Sequence, residues 1–217
     1  MQPTFRQLVF KSKLNLKNMR KVTLAGLILL MAIASWSQER EYKTIVDFND
    51  VRISGMGGVI MQFTAADGEF AHMLGGGGAI LLGDFFFGAY GLGLTNQIPV
   101  DQAKFTDYQP GDKLTISHGG FWLGYSLFGD RAIHMNFSSL LGWGNLGVRA
   151  DYYPENLWPD GIFVLCPTME VELNLTKFFR LGVGASYNIY TFVDLPGYTA
   201  SDFSAPGGFL SFKFGWF

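Results

Sequence analysis

Residues 209–217 read Phe-Leu-Ser-Phe-Lys-Phe-Gly-Trp-Phe, FLSFKFGWF. From Leu210 to Trp216 every second residue is large and apolar (Leu210, Phe212, Phe214, Trp216), and the residues between them are Ser211, Lys213 and Gly215. A period of two is that of a strand, whose successive side chains point to opposite faces. One face of this strand is therefore apolar and the other carries a lysine among small residues. Which of the two faces is turned away from water decides the architecture.

The same period recurs through the chain, and eight strands are predicted. They cover 53–65, 69–82, 85–95, 113–128, 131–150, 162–173, 178–192 and 207–217. Val59, Met61 and Phe63 share a face of the first, and Phe121, Leu123, Tyr125 and Leu127 share one of the fourth. Ile133, Met135 and Phe137 alternate with His134, Asn136 and Ser138 in the fifth. Met169, Val171 and Leu173 alternate with Thr168, Glu170 and Glu172 in the sixth, and Leu181, Val183 and Ala185 with Arg180, Gly182 and Gly184 in the seventh. Ala66-Asp67-Gly68, Gly83-Asp84, Gly129-Asp130 and Asn174–Lys177 are the turn signals. The links after strands two, four and six are short, and those after three, five and seven are long (96–112, 151–161 and 193–206). An even-stranded antiparallel barrel with both chain ends on one side predicts this alternation, and the tight turn after strand one is its exception.

The amino end has a different character. Residues 19–37, MRKVTLAGLILLMAIASWS, place a basic head before an apolar run and end on small residues, the pattern of a secretory signal peptide. The cut is expected after Ser37, with one after Ala34 as the alternative, and either Met1 or Met19 serves as the start. The apolar run is shorter than the ~20 residues of a membrane-spanning helix. The expected organisation is 1–37 removed, 38–50 a short periplasmic lead-in, and 51–217 one barrel domain. Residues 1–37 contain six basic residues and no acidic ones, so residues 38–217 carry ten basic against eighteen acidic, a formal charge of −8. That balance disfavours nucleic acid as a partner, since phosphate binding needs a basic surface. The single cysteine, Cys166, allows no internal disulfide.

A water-soluble barrel turns its apolar face inward and shows charges outside. Here the less apolar face is rich in Gly, Ser, Thr and Asn with isolated charges, which suits the narrow interior of an eight-stranded barrel. The aromatic face is then the outer one, touching lipid, and the sheet must close because an unpaired backbone group in lipid costs several kcal/mol. The expected fold is all-β: one antiparallel, eight-stranded, up-and-down transmembrane β-barrel.

With its signal-like leader, eight alternating strands and aromatic Phe217, the chain resembles the small eight-stranded outer-membrane β-barrels of Gram-negative bacteria, the OmpA/OmpX-like group. The resemblance covers about residues 51–217 and is architectural. It implies an outer-membrane location with both termini periplasmic, long loops outside, membrane lipids around the barrel, and engagement of the barrel-insertion machinery through a terminal aromatic. Phe217 shares its parity with Lys213 rather than with Phe212, Phe214 and Trp216, which departs from that pattern.

Candidate chemistry lies inside the barrel and on its loops. Glu170, Glu172, Arg180 and Lys213 all have inward parity, and pairing across Asn174–Lys177 places Glu172 near Arg180. Charges in a narrow lumen must be paired, so these form either a salt-bridge plug or the gate of a narrow ion path. His134 also faces in, and pairing across Gly129-Asp130 places Ser126 near it, completing an interior polar network. Ser, His and Glu are the elements of a nucleophilic triad. Barrels that deacylate lipid A carry His-x-Ser on one strand, however, and His72, His118 and His134 are each followed by other residues. Gly75–Gly78 lies within a strand and lacks the following Lys-Ser/Thr of a phosphate loop. No His/Cys spacing supports a metal, and no cofactor motif is found. Phe85–Phe87, Tyr90, Trp122 and Trp143 form either a ligand shelf or, as such residues more often do, the interfacial girdles. The loop Asp151–Gly161, DYYPENLWPDG, offers Tyr152, Tyr153 and Trp158 to an extracellular ligand or packs them on the barrel rim. The reading is a non-enzymatic structural or surface-interaction protein with a polar, plugged lumen. The alternatives are a narrow pore or small-ligand conduit, and an outer-membrane lipid-modifying enzyme.

Overall fold

The computed structural model describes residues 52–150 and 156–217; the proposed leader with its cut at Ser37, the lead-in, Tyr152 and Tyr153 lie outside the described residues. The strands are β1 (Ile53–Ala66), β2 (Glu69–Leu82), β3 (Phe85–Leu94), β4 (Ile98–Pro99), β5 (Lys113–Leu127), β6 (Ile133–Arg149), β7 (Asn156–Asn174), β8 (Phe179–Tyr187), β9 (Ile189–Thr191) and β10 (Pro206–Gly215). A single helical turn, α1 (Ala200–Phe203), precedes β10. Every ladder is antiparallel, in the order β3-β2-β1-β10-β8-β7-β6-β5, and β3 pairs with β5 to close a ring of eight strands. Closure leaves no open edge. β4 adds to β5, and β9 to β7, at one end of the ring.

Turn chemistry sets the connections. Ala66 pairs with Glu69, and Asp67 and Gly68 between them both take positive φ (54° and 76°), the geometry of a two-residue type I′ hairpin. Leu82 pairs with Phe85 around Gly83, whose φ is 62°. The Gly83, Gly129 and Thr176 turns lie at the same end as Arg52 and Phe217, here called the turn end. The loops containing β4 and α1, together with the end of β6 at Arg149 and the start of β7 at Asn156, lie at the other, the loop end.

Four details differ from the sequence expectation. β7 starts at Asn156 rather than near Ile162, because the backbone of Val148 and Arg149 takes Leu157 and Asn156 as ladder partners. Trp158 and Pro159 stand out of that ladder, where a proline that lacks an N–H is tolerated. The seventh strand is interrupted at Asn188, yet its register on β7 is the same on both sides of the gap (Thr168 with Ser186, Leu165 with Ile189), and the Asn188 N–H donates to Ala205 O at 2.9 Å, one pair beyond the β8–β10 ladder. The last strand ends at Gly215, two residues early. β4 and α1 inside the long loops carried no period that would have announced them.

Burial gives the direction of the faces. On the outside, Trp143 is 59 % exposed and Val183 54 %; on the inside, Lys213 is 1 % exposed and Trp122 0 %. Leu210, Phe212, Phe214 and Trp216 point out and Ser211, Lys213 and Gly215 point in, as the opening stretch predicts. The inner face is less uniformly small and polar than expected. Phe86, Tyr90 and Trp122, read above chiefly as girdle residues, are buried in the lumen, whereas Phe85, Phe87 and Trp143 do lie outside. Glycines on facing strands make room for them: a Cβ on Gly124 would overlap the Phe86 ring, and one on Gly77 would sit 3.0 Å from Trp122.

Candidate functional site: the charged lumen and the loop cap

Strand register alone does not bring the inward charges together. Glu172 pairs directly with His134 across β6–β7 and with Gly182 across β7–β8, and Arg180 pairs with Asn174 and with Lys213. The side chains then converge across the bore. Lys213 Nζ donates to Glu170 Oε2 at 2.7 Å and also to Glu172 Oε1. Glu172 Oε2 meets His134 Nε2 at 2.9 Å and Arg180 Nη1 at 3.7 Å. Two carboxylates thus face two permanent cations, so the cluster is close to neutral. Gly182 leaves the space in which Ser211 Oγ and Glu170 Oε2 sit.

Aromatic rings close over both sides of this hub. Lys213 Nζ lies 5.1 Å from the Trp122 ring and 5.7 Å from that of Phe86, within cation–π range. On the turn side the Arg180 guanidinium stacks 3.8 Å from the ring of Phe217, which accounts for the inward parity of that residue. Beyond them a cavity of about 870 Å³ opens at the turn end, with Ser126, Asn174, Arg180 and Phe217 among its walls.

Ser126 does not sit opposite His134. The Gly129-Asp130 connection is longer than a two-residue turn, so Ser126 pairs with Asn136 and accepts a hydrogen bond from its Nδ2 at 3.3 Å. With His134 engaged by Glu172, the Ser–His contact that a nucleophilic triad requires is not what these side chains make.

Several buried polar atoms around the hub have no partner among the described residues: His134 Nδ1, Asn136 Oδ1, Glu170 Oε1, Ser211 Oγ, Arg180 Nε and Asn174 Oδ1. A buried polar atom left unsatisfied costs ~1–3 kcal/mol. Six of them together would rival the ~5–15 kcal/mol that holds a domain folded.

Toward the loops the lumen changes character. Gln62 Nε2 donates to Asn188 Oδ1 at 2.8 Å, to Ser186 Oγ at 3.1 Å and to Cys166 Sγ at 3.1 Å. Tyr90 OH and His118 Nδ1 are 3.0 Å apart. Parity puts Ser186 and Asn188 inward but does not bring them to Gln62, which lies 124 and 126 residues away along the chain.

A cap covers the loop end. Trp158 is not a free loop tip: it packs edge-on against Phe105 and Tyr108, at ring separations of 5.8 and 5.5 Å. Tyr108 OH donates to Pro196 O at 2.7 Å, joining two loops. Lys104 reaches both the β1–β2 turn and α1, 2.5 Å from Asp67 Oδ1 and 3.2 Å from Asp202 Oδ1, with its ammonium 4.4 Å from the Tyr198 ring. Burial works against the charge on Lys104, but Asp67 and Asp202 outweigh it and hold its pKa above the ordinary lysine value. Burial likewise opposes the charge on Asp202, and the N–H and hydroxyl of Thr199 together with Lys104 outweigh it and hold that carboxyl below its ordinary value. The raised lysine stabilises the cap below about pH 10.4, an effect lost as pH rises through its folded value. The depressed aspartate stabilises it above about pH 3.9, an effect lost as pH falls through its folded value. The cap is therefore tightest between those limits. Lys104→Met is expected to speed proteolytic nicking of the 95–112 loop at neutral pH, with much less difference from wild type below pH 3; matched cleavage rates at pH 7 would refute this.

A closed ring of eight antiparallel strands, apolar outside and charged within, defines a membrane-spanning β-barrel. No protein-family model and no curated protein matches the chain. Among solved structures it is similar in fold to Neisserial surface protein A (NspA), at 10% identity over 76% of this chain and 96% of that one, TM-score 0.49. It is also similar to Ail, the attachment invasion locus protein of Yersinia pestis, crystallised with the heparin analogue sucrose octasulfate, at 9% identity over 76% of this chain and 98% of that one, TM-score 0.45. The barrel assignment here stands on the ring and the burial pattern of this chain.

Proposed function

We propose that this chain is a non-enzymatic protein of the Gram-negative outer membrane, with a structural or surface-interaction role and a lumen closed to ion flow. In this reading the turn end with both termini faces the periplasm, and the long loops face outward. Membrane lipids and the barrel-insertion machinery are then its general partners, and a ligand meets the loop end. The observation that carries the closed lumen is the Lys213 hub lying against Trp122, a fully buried ring that reaches from β5 across to Gly77 on β2. Neutral, mutually bonded charges offer a passing ion no replacement for its hydration shell. The loops bias the choice of ligand. In residues 95–112 and 188–205 the exposed carboxylates are Asp101, Asp107 and Asp194, while Lys104, the one lysine of these loops, is held by Asp67 and Asp202, so a neutral or cationic partner fits better than a polyanion.

The refolded chain in planar bilayers tests the closed lumen directly. No unitary conductance above the bare-bilayer baseline is expected. Steady conductance that Glu172→Gln or Lys213→Met re-selects would establish the narrow-pore reading instead.

A further inference from the structure

The unpartnered polar atoms are not spread evenly along the bore. His134 Nδ1, Asn136 Oδ1, Glu170 Oε1, Ser211 Oγ, Arg180 Nε and Asn174 Oδ1 all lie on the turn side of Trp122, in or next to the hub. This group runs into the open cavity at the turn end, whose wall includes Arg180, Asn174 and Ser126. On the loop side the polar atoms are mostly engaged with one another, through Gln62, Cys166, Ser186 and Asn188 and through Tyr90 with His118; Gln62 Oε1 and His118 Nε2 remain alone there. Between the two halves stand rings rather than charges, with Trp122 Nε1 the one polar side-chain atom of that layer, itself without a partner among the described residues. Trp122 spans from β5 to Gly77, Phe86 meets it edge-on at 5.3 Å, and both face Lys213.

Water satisfies buried polar groups where a site is polar, roomy and reachable. The cavity at the turn end, walled by Ser126, Asn174 and Arg180, meets those conditions, and the remaining unpartnered atoms lie next to it around the hub. An apolar constriction resists wetting, and the Trp122–Phe86 layer is one. We propose that the turn-side half of the lumen is an aqueous half-channel that admits water and protons from the turn end as far as the Lys213 hub, and that the Trp122–Phe86 layer, not the salt bridges, is its barrier. This rests on the closed-lumen reading and adds where the closure lies. The hub charges then exchange protons with one side of the membrane only.

Thiol accessibility tests it in the folded chain. Native Cys166 reports on the loop half. Ser211→Cys, combined with Cys166→Ala, reports on the hub. The probe is the silver ion, small enough for a narrow bore, which replaces the thiol proton; thiols left after timed exposure are counted in denaturant. The Ser211→Cys thiol is expected to react at least ~100-fold faster than Cys166 in the folded barrel, as access controls thiol chemistry, and at the same rate once both chains are unfolded. Trp122→Ala should bring Cys166 up to the faster rate and produce measurable conductance. If the Ser211→Cys thiol is as slow as Cys166, the turn half is dry and the proposal fails; if Cys166 in the unaltered barrel is as fast, the aromatic barrier does not exist. Should Trp122→Ala not fold, the Ser211→Cys and Cys166 rates still decide. Conductance of the unaltered chain bears separately on the closed lumen, so the two readings fail by different measurements.

Discussion

Lys213→Met will destabilise the barrel by about 3–5 kcal/mol, the usual effect of removing one member of a buried ion pair. The loss comes less from the missing attraction than from what stays behind. Lys213 is the cation that both Glu170 and Glu172 hold, and Arg180, 3.7 Å from Glu172 Oε2, is too far to replace it. The side chain also fills space against Trp122 and Phe86, which methionine largely preserves, so the change isolates the charge. Adding Glu170→Gln and Glu172→Gln to Lys213→Met removes the stranded carboxylates and should recover most of the loss. Urea unfolding of the barrel in lipid vesicles measures both variants. A single variant as stable as wild type, or a triple variant no better than the single, would show that these groups do not act as one network.

The second large effect concerns the outer wall. Val183 sits at the middle of β8, flanked by Val171 on β7 and Leu210 on β10, and points outward. On a water-facing surface Val183→Arg would change stability by no more than ~0.5 kcal/mol. At the midplane of a bilayer an outward arginine costs ~2–4 kcal/mol. The same unfolding measurement therefore distinguishes lipid from water as the solvent of this face. Phe70→Arg, at the β1–β2 turn and outside that midplane, serves as the comparison and should lose far less. Equal, negligible losses at both positions would remove the basis for a membrane-spanning barrel.

Much of the architecture was legible in residue order because its causes are local. Side-chain direction in a strand repeats every two residues, so FLSFKFGWF announced an apolar and a charged face without reference to any other part of the chain. Asp67-Gly68 and Gly83 were legible for the same reason, since their backbone conformations are intrinsic to those residues. The inward parity of Glu170, Glu172, Arg180, Lys213 and His134 followed from the same count. Parity said nothing of size, however, and Phe86, Tyr90 and Trp122 were read chiefly as girdle residues by their aromatic character alone. Their inward places depend on Gly124 and Gly77 on other strands, a relation between distant residues. Ser126 was misplaced by one pair because the Gly129-Asp130 connection is longer than its dipeptide suggested. Whether Trp158 stood free or packed on the rim was open in the sequence, because nothing near it in sequence reveals Phe105 and Tyr108 as its neighbours.

By itself, then, the order of residues determined the eight strands, most of their turns, and the apolar face of six of the strands. Only the tertiary structure decided that Lys213 holds two glutamates beneath a tryptophan, that Gln62 bridges to Ser186 and Asn188, and that Lys104 ties the cap to Asp67 and Asp202. The division has one physical reason. The period and conformation of a strand are properties of neighbouring residues, whereas closing eight strands tilts and staggers them, and that stagger sets which inward side chains meet across the bore.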